Sequence, residues 1–391
     1  MDIDKAFYRN LMKNMFADPC EVKFWDGEVV KYGEGMPQFQ IDFNEPIAKA
    51  EIISDPSLAF GEGYMSKKID IVGSVQKVIE SIYKNQNSFL GQNNTCDKLF
   101  KIFSSSIRKS KENVQFHYDI GNDFYSLWLD KTMTYSCAYF KSPEDSLFQA
   151  QKNKVAHILC KLNLQPGQAL LDIGCGWGEL ILTAAKNYQV KALGITLSSE
   201  QYARTVERIE NEGLQDLVEV QLIDYRELKG KTFDRVVSVG MIEHVGKEHL
   251  SGYFSAVKAL LKEGGASLLH CITGYEGSGT NSWINKYIFP GGYIPAVQEL
   301  VSLMATNGFY LLDLESLREH YTRTLEHWAR NFEDTLPLTM KTKDETFIRM
   351  WRLYLNSCAA SFHFGNIDLH QFLFTKGVNN TWPLTRTYMH S

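Results

Sequence analysis

Three glycines that alternate with other residues mark the stretch of this chain best suited to chemistry. Gly174, Gly176 and Gly178 follow an apolar run, residues 169–173, whose one acid is Asp172. Glycine adopts positive φ without a steric penalty and leaves room for a ligand to lie against the main chain. The stretch therefore predicts a buried strand, a sharp turn and a helix start, with Asp172 placing a negative charge near the ligand.

The spacing of these glycines indicates the kind of ligand. It is G-x-G-x-G, whereas folds that bind a dinucleotide pyrophosphate carry G-x-G-x-x-G. The difference favours a ligand without phosphates, and S-adenosylmethionine, a sulfonium cation joined to a nucleoside, is the common one. A glycine-rich turn in an unrelated α/β protein is the alternative, and the pattern after the turn argues against it.

Apolar segments after the turn predict the elements that position the ligand. Strands are expected at 169–173, 190–195, 218–223, 233–239 and 266–272, and helices at 178–187, 199–212 and 247–261. Ser198 or Ser199 is expected to cap the second helix, and Gly213 to end it. This alternation predicts an α/β fold with a Rossmann-like parallel sheet, in which ligands bind at the carboxyl ends of the strands.

Residues at the ends of the second and third strands suit a nucleoside. The second strand ends in Thr196 and lacks the carboxylate that commonly holds ribose hydroxyls, so we expect Thr196 and Gln201 to replace it. The third strand ends at Asp224 and Tyr225, which offer an acceptor for the adenine amino group and a ring to stack on it. A turn cap is the structural alternative for Asp224.

Two further residues are expected on one rim of the sheet, near the sulfonium methyl. Glu243 follows the fourth strand and His270 lies in the fifth. A helix-start acid is the alternative for Glu243, and a half-buried core histidine is the alternative for His270.

Length and composition bound the remaining possibilities. A chain of 391 residues exceeds the usual single core, so one large and one smaller domain are expected. The net charge of −5 argues against a general nucleic-acid binder, and seven scattered cysteines without a C-x-x-C pair indicate neither a disulfide framework nor a zinc site. The acidic start and the lack of a long apolar run predict a cytoplasmic protein whose membrane contact is peripheral, on the inner face.

Residues 1–90 predict a small N-terminal α+β domain. We expect a helix at 7–16, strands at 21–24, 29–32, 39–43 and 48–53, a hairpin at Asp26-Gly27 and a closing helix at 74–83. Residues 91–112 are predicted to form a linker whose cations are Lys98, Lys101, Arg108, Lys109 and Lys111. Such a basic amphipathic segment can lie on an anionic bilayer, and a solvated interdomain helix is the alternative. Residues 113–391 are the predicted catalytic domain.

Five motifs together resemble the cyclopropane-fatty-acyl-phospholipid synthases. They are His117–Tyr125, Thr134–Phe140, Gly174–Gly178, Glu243–Gly246 and His320–Leu325. The resemblance runs from about residue 113 to 377, and the N-terminal unit resembles the small domain of bacterial members. One stretch departs: the family tends to have arginines after its C-A-x-x-F motif, whereas residues 358–365 here contain none.

The resemblance implies transfer of a methylene unit from S-adenosylmethionine to the cis double bond of an acyl chain in a membrane phospholipid. The implied cofactor contacts are Tyr135, Ser136, Gly174, Gly176, Thr196, Gln201, Asp224 and Tyr225. It also implies that bicarbonate acts as the base, held by Cys137, Glu243, His270, Ile272 and Tyr321. On its own, Cys137 is better explained as a packed thiol. The expected partners are a bilayer with unsaturated acyl chains and, in a homodimer, a second copy of the chain.

The chemistry makes its own demands. An alkene is a poor nucleophile, so the methyl donor must be held in near-attack geometry and the resulting carbocation kept from water, in an apolar, aromatic tunnel. Candidate rings are Trp283, Tyr287, Phe289, Tyr293, Phe309, Tyr321 and Trp328, and residues 274–308 are the predicted acyl-chain lid. The alternatives are a methyltransferase that yields branched or hydroxylated chains, a small-molecule N-methyltransferase, and a lipid-binding or regulatory protein whose cofactor site is inactive.

Overall fold

The computed structural model describes residues 3–85 and 120–390. The basic segment and the residues His117 to Asp119 of the first motif lie outside this range. The first described part contains α1 (Ile3–Lys13), β1 (Cys20–Lys23), β2 (Val29–Tyr32), β3 (Phe39–Phe43), α2 (Lys49–Ser54), α3 (Pro56–Met65), β4 (Ile69–Val72) and α4 (Val75–Lys84).

The second described part holds the larger sheet. Its elements are α5 (Asn122–Trp128), α6 (Leu147–Lys161), β5 (Ala169–Ile173), α7 (Glu179–Tyr188), β6 (Lys191–Thr196), α8 (Ser199–Asn211), β7 (Val218–Leu222), β8 (Phe233–Val239), α9 (Leu250–Leu260), β9 (Leu261–Thr273), β10 (Ser278–Gly279), α10 (Ser282–Tyr287), β11 (Tyr293–Ile294), α11 (Val297–Thr306), β12 (Phe309–Ser316), α12 (Arg318–Asp334), α13 (Leu336–Thr339), α14 (Glu345–His363) and β13 (Asp368–Lys376). Short 3-10 helices lie at Ile242–His244, Lys247–His249 and Arg386–His390.

Two compact units make up the chain. The N-terminal unit consists of Met1–Lys101, Gly279–Pro290 and Leu325–Asn366, and the sheet unit of Ile102–Ser278, Gly291–Thr324 and Ile367–Ser391. The predicted domain boundary near residue 90 falls in the undescribed stretch and stays a prediction. In the described residues, no helix combines the length and the apolar character that crossing a membrane requires.

The N-terminal unit contains a four-stranded sheet in the order β2-β1-β3-β4. The hairpin predicted at Asp26-Gly27 is confirmed, because β1 and β2 pair antiparallel and Gly27 has a φ of 87°. The strand predicted at 48–53 is wrong, since these residues form α2. Alanine, lysine and glutamate favour helix, and Ile52 is the buried residue of α2, so the alternating burial of a strand is missing.

Segments from distant parts of the chain complete this unit. Trp283 of α10 is buried against α3, where a Cβ atom on Gly61 would overlap its ring. Glu62 of α3 accepts hydrogen bonds from Lys286 at 2.5 Å and from Tyr287 at 2.7 Å. Part of the predicted lid segment is therefore built into the N-terminal unit, and at least Trp283 is a packing residue there.

A seven-stranded sheet in the order β12-β13-β9-β8-β5-β6-β7 forms the centre of the sheet unit. The five strands β5 to β9 run parallel, and β12 and β13 add an antiparallel edge. The Rossmann-like prediction is confirmed, and β5 and β8 have the predicted bounds. From β5 the chain proceeds outward to β6 and β7 and then returns to β8 on the other side. The ends of β5 and β8 are thus the switch point where such folds bind ligands.

Candidate active site

A cavity that is partly open to solvent lies at the carboxyl ends of β5 to β8. The loop at 132–136 and the turn after β5 contribute to its lining. The structure brings together all eight residues expected to contact a cofactor, namely Tyr135, Ser136, Gly174, Gly176, Thr196, Gln201, Asp224 and Tyr225. Their contacts with a cofactor stay a prediction, but their convergence is a property of the fold.

The three glycines of the turn have different roles. All adopt positive φ, of 86°, 56° and 85° for Gly174, Gly176 and Gly178. A Cβ atom on Gly178 would lie 2.6 Å from Thr205 of α8, so this glycine permits helix packing. A Cβ atom on Gly176 would meet no atom of the described residues within 4 Å, although Gly176 lines the cavity. Gly176 is therefore the position where bare main chain faces ligand space.

Thr196 and Gln201 meet as the sequence suggests. The Thr196 hydroxyl donates to Gln201 Oε1 at 2.8 Å, and both residues are buried. Ser198 caps α8, because its hydroxyl accepts a hydrogen bond from the backbone N–H of Gln201. Two polar side chains therefore stand at the end of β6, where related folds commonly place a carboxylate.

Asp224 has a partner that the sequence did not single out. Arg226 reaches back and donates from Nε and Nη2 to the two carboxylate oxygens, at 2.8 and 2.7 Å. The backbone N–H of Arg226 also donates to Asp224 Oδ1, so the turn-cap alternative describes part of the role of this carboxylate. A carboxylate accepts about four hydrogen bonds, which leaves capacity for a ligand donor.

Two buried ionisable residues of opposite charge line the same cavity. Burial raises the pKa of Asp172 to about 7, and the charge of Lys154 opposes that rise. Burial likewise lowers the pKa of Lys154 to about 8. Within residues 3–85 and 120–390, Asp172 Oδ1 has no hydrogen-bond partner. A desolvated carboxylate with a free oxygen suits a cationic ligand, which is the fit expected for a sulfonium.

Glu243 and Ile272, two of the five residues expected around the base, are in direct contact. The backbone N–H of Ile272 donates to Glu243 Oε1 at 2.7 Å. Burial raises the pKa of Glu243 to about 7, and this hydrogen bond opposes the rise. Among the described residues, the second carboxylate oxygen has no hydrogen-bond partner.

His270 lies two residues before Ile272 on β9, and therefore on the same face of the strand. The side chain of His270 is fully buried and not half-buried as the structural alternative expects. Burial lowers the pKa of His270 well below the usual value. Its Nδ1 lies 3.2 Å from the side-chain Nε2 of Gln371. Because that amide nitrogen donates, Nδ1 accepts and Nε2 carries the proton. In the described part of the chain, Nε2 has no partner.

Cys137 and Tyr321 are linked through Leu317. The carbonyl oxygen of Leu317 accepts from the backbone N–H of Tyr321 at 3.1 Å and lies 3.9 Å from Cys137 Sγ. Leu317 in turn donates its N–H to Leu369, the residue that pairs with Ile272 across β9 and β13. Burial raises the pKa of the Cys137 thiol, as expected for a packed thiol. Of the residues described, Met241 and His244 flank Glu243 on the cavity lining, whereas none of the five expected around the base lines it.

The chain matches known protein families and relatives over most of its length. Residues 105–372 match the family model described as mycolic acid cyclopropane synthetase, and residues 7–94 match a domain of unknown function (DUF7884). A probable fatty acid methyltransferase of Pseudomonas putida is 37% identical over 389 residues, covering 95% of this chain and 96% of the relative. Cyclopropane-fatty-acyl-phospholipid synthase of Escherichia coli (strain K12) is 38% identical over 342 residues, covering 86% and 87%.

Solved structures agree with these matches. The mycolic acid cyclopropane synthase CmaA1, complexed with SAH and CTAB, aligns with a TM-score of 0.65 at 35% identity. The alignment covers 68% of this chain and 98% of that one.

Proposed function

Since the chain belongs to the mycolic acid cyclopropane synthetase family of S-adenosylmethionine-dependent methyltransferases, we propose that it acts on phospholipid in a membrane. The reaction is transfer of a methylene group to the cis double bond of an unsaturated acyl chain, which forms a cyclopropane ring. The observation that carries the methyl-donor part of the proposal is the convergence of eight cofactor-contact candidates on one cavity, beside a buried carboxylate oxygen that has no partner among the described residues. The 38% identity to the cyclopropane-fatty-acyl-phospholipid synthase of Escherichia coli supports the phospholipid substrate.

The chain's own residues bind and orient the cofactor for this reaction. S-adenosylmethionine, when bound, supplies an electrophilic methyl group. The turn at Gly176 lets the cofactor lie against the main chain. The negative charge of Asp172 stabilises the positive sulfur of the cofactor. Thr196 and Gln201 hold the ribose, and Asp224 and Tyr225 the adenine. Orientation of this kind matters here because the alkene is a weak nucleophile.

The second step is the removal of a proton from the transferred carbon. The C–H electron pair closes the ring, and the proton passes to a base. We place bicarbonate in this role, held by Cys137, Glu243, His270, Ile272 and Tyr321. Two buried atoms that lack partners in the described residues support the fit: His270 Nε2–H is a donor for an anion, and Glu243 Oε2 is an acceptor for the proton.

We also propose that the protein works at the inner face of a membrane as a peripheral protein. The basic residues of segment 91–112, outside the described range, support this placement, because cations near an anionic bilayer are attracted to it. Reversing Lys98, Lys101, Arg108 and Lys109 to glutamate is expected to weaken binding to anionic vesicles in co-sedimentation, and binding of the parent is expected to fall with salt. Equal sedimentation of both proteins would show that the segment is a linker. The lid role of residues 274–308 and a homodimer belong to the same proposal.

A methyl-branched fatty acid is a second candidate product. It is favoured by the 37% identity to the probable fatty acid methyltransferase of Pseudomonas putida. The proposal is tested by incubating the protein with radiolabelled S-adenosylmethionine and vesicles of either oleoyl or fully saturated phospholipid. Label should enter only the oleoyl phospholipid. Transfer to the saturated lipid, or to free fatty acid alone, would contradict the proposed substrate.

A further inference from the structure

Helix α6 holds the loop at 134–136 from one face. Gln151 Nε2 donates to the carbonyl oxygens of Ser136 at 2.9 Å and Thr134 at 3.3 Å. One turn further on, Lys154 Nζ donates to the hydroxyl of Ser136 at 2.9 Å. Residues three apart on a helix share a face, so Gln151 fixes the backbone of the loop while Lys154 fixes its side chain.

Lys154 is an unusual residue to find at this position. It is 2% exposed, although lysine is almost never fully buried without an opposite charge as partner. Its hydrogen-bond partner in the described part of the chain is the neutral hydroxyl of Ser136. An ammonium has three donors, so the contact with Ser136 leaves two of them available. Asp130, Asp172 and Glu179 supply the negative field that keeps the charge in place.

The cofactor brings charges that match this arrangement. The methionine part of S-adenosylmethionine ends in a carboxylate and an ammonium, beside the positive sulfur. Among the described residues, the cavity lining contains one buried cation, Lys154, and one buried carboxylate with an oxygen that lacks a partner, Asp172. Arg226 also lines the cavity, but its guanidinium is engaged by the carboxylate of Asp224.

We infer that Lys154, together with the Ser136 hydroxyl that it holds, recognises the carboxylate of the cofactor's methionine part. Gln151 is a positioning residue that keeps the loop in place for this contact. The inference deepens the proposed function and rests on S-adenosylmethionine being the cofactor. It predicts that the amino-acid part of the ligand loses affinity when Lys154 loses its charge, whereas the nucleoside part does not.

Calorimetry with two ligands separates these contributions. S-adenosylhomocysteine carries the carboxylate, and 5′-methylthioadenosine is the same nucleoside thioether without the amino-acid part. Lys154→Met should weaken binding of S-adenosylhomocysteine roughly 10- to 100-fold, the range for a charge-assisted hydrogen bond. Binding of 5′-methylthioadenosine should stay within threefold of the parent, which also shows that the cavity is folded. Lys152→Met is the matched control, because Lys152 lies on the same helix but is exposed.

Other outcomes of the two-ligand calorimetry would contradict the role inferred for Lys154. Unchanged S-adenosylhomocysteine affinity in Lys154→Met, or an equal loss for both ligands, would overturn the inference, since the lysine would then only support the cavity wall. If Ser136→Ala and Lys154→Met act through one contact, the double variant should lose less affinity than the two single losses combined, and full additivity would remove Ser136 from the inference. A parent protein that binds neither ligand would instead contradict the proposed function itself.

Discussion

Replacing Gly176 with valine is expected to weaken cofactor binding strongly at a small cost in stability. Gly176 has a φ of 56°, and a residue with a Cβ atom in this left-handed region costs about 1–2 kcal/mol. No atom of residues 3–85 or 120–390 lies within 4 Å of the new Cβ, so overlap with these residues adds nothing to the cost. For a chain of 391 residues, the loss lowers Tm by roughly 1–3 °C.

Gly176→Val is expected to affect the affinity for the cofactor more than the stability of the protein. The valine side chain would extend into the cavity that Gly176 lines. Overfilling a fitted site costs about 1–3 kcal/mol or more, which corresponds to roughly 5- to 150-fold weaker binding or more. Calorimetric titration with S-adenosylhomocysteine measures this change directly, and thermal unfolding of the same sample measures the cost in stability.

Gly213→Val isolates the backbone contribution. Gly213 ends α8 with a φ of 64°, and a Cβ there also meets no atom of the described part of the chain within 4 Å. The two variants should therefore lose similar stability, while only Gly176→Val loses affinity. Equal affinities in the parent and Gly176→Val would refute the placement of the cofactor against this turn. Equal loss of affinity in both valine variants would attribute the effect to general destabilisation.

Three further predictions address the base, the charge near the sulfonium and the packing of the N-terminal unit. Glu243→Gln keeps the shape of the side chain but loses the proton acceptor, so turnover should fall by about 100-fold or more while the affinity for S-adenosylmethionine changes only a few fold. Removing dissolved carbon dioxide should slow the parent enzyme and barely affect the variant. Full turnover by the variant in carbonate-free buffer would contradict the role of this carboxylate. Burial raises the pKa of Asp172 to about 7, and the positive sulfur of S-adenosylmethionine favours the ionised form of this carboxyl group. The affinity for S-adenosylmethionine relative to S-adenosylhomocysteine should therefore rise as pH increases through about 7. In a calorimetric pH series, Asp172→Asn should abolish that rise. Gly61→Ala should lower the free energy of unfolding by about 1–3 kcal/mol in denaturant unfolding, because the new Cβ overlaps Trp283. Gly252→Ala in α9 is the control, since a Cβ there meets no described atom within 4 Å, and it should not destabilise the protein. Equal stability of both variants would show that α3 and α10 shift to accommodate the methyl group.

The elements that form the centre of the sheet could be predicted because each is a short apolar run bounded by polar or glycine residues. Residues 169–173 and 233–239 were bounded correctly for this reason. Residues 48–53 were not, because a six-residue segment of alanine, lysine, glutamate and isoleucine has no clear period, and its helix depends on packing. The antiparallel edge of β12 and β13 is set by tertiary pairing across more than fifty residues, which local patterns do not report.

The same division applies to the site. Residues that follow strands, such as Thr196 and Asp224, could be placed at one rim because the topology of a parallel sheet puts them there. Lys154 could not, because a glutamine and a lysine three residues apart on a helix are typical of a solvated face. Only the fold shows that this face of α6 meets the loop at 134–136. The contact between Glu243 and Ile272 likewise required the structure.

Cyclopropane formation is detected in the structure of the lipid product formed from S-adenosylmethionine with a trideuterated methyl group. After incubation with oleoyl phospholipid vesicles, the acyl chain should gain one carbon that carries two deuterium atoms. Proton and carbon NMR should show that this carbon lies in a cyclopropane ring and that the double bond is gone. A product whose new carbon keeps three deuterium atoms, or whose chain retains a double bond, would contradict the account, since the proton would not have been lost with ring closure.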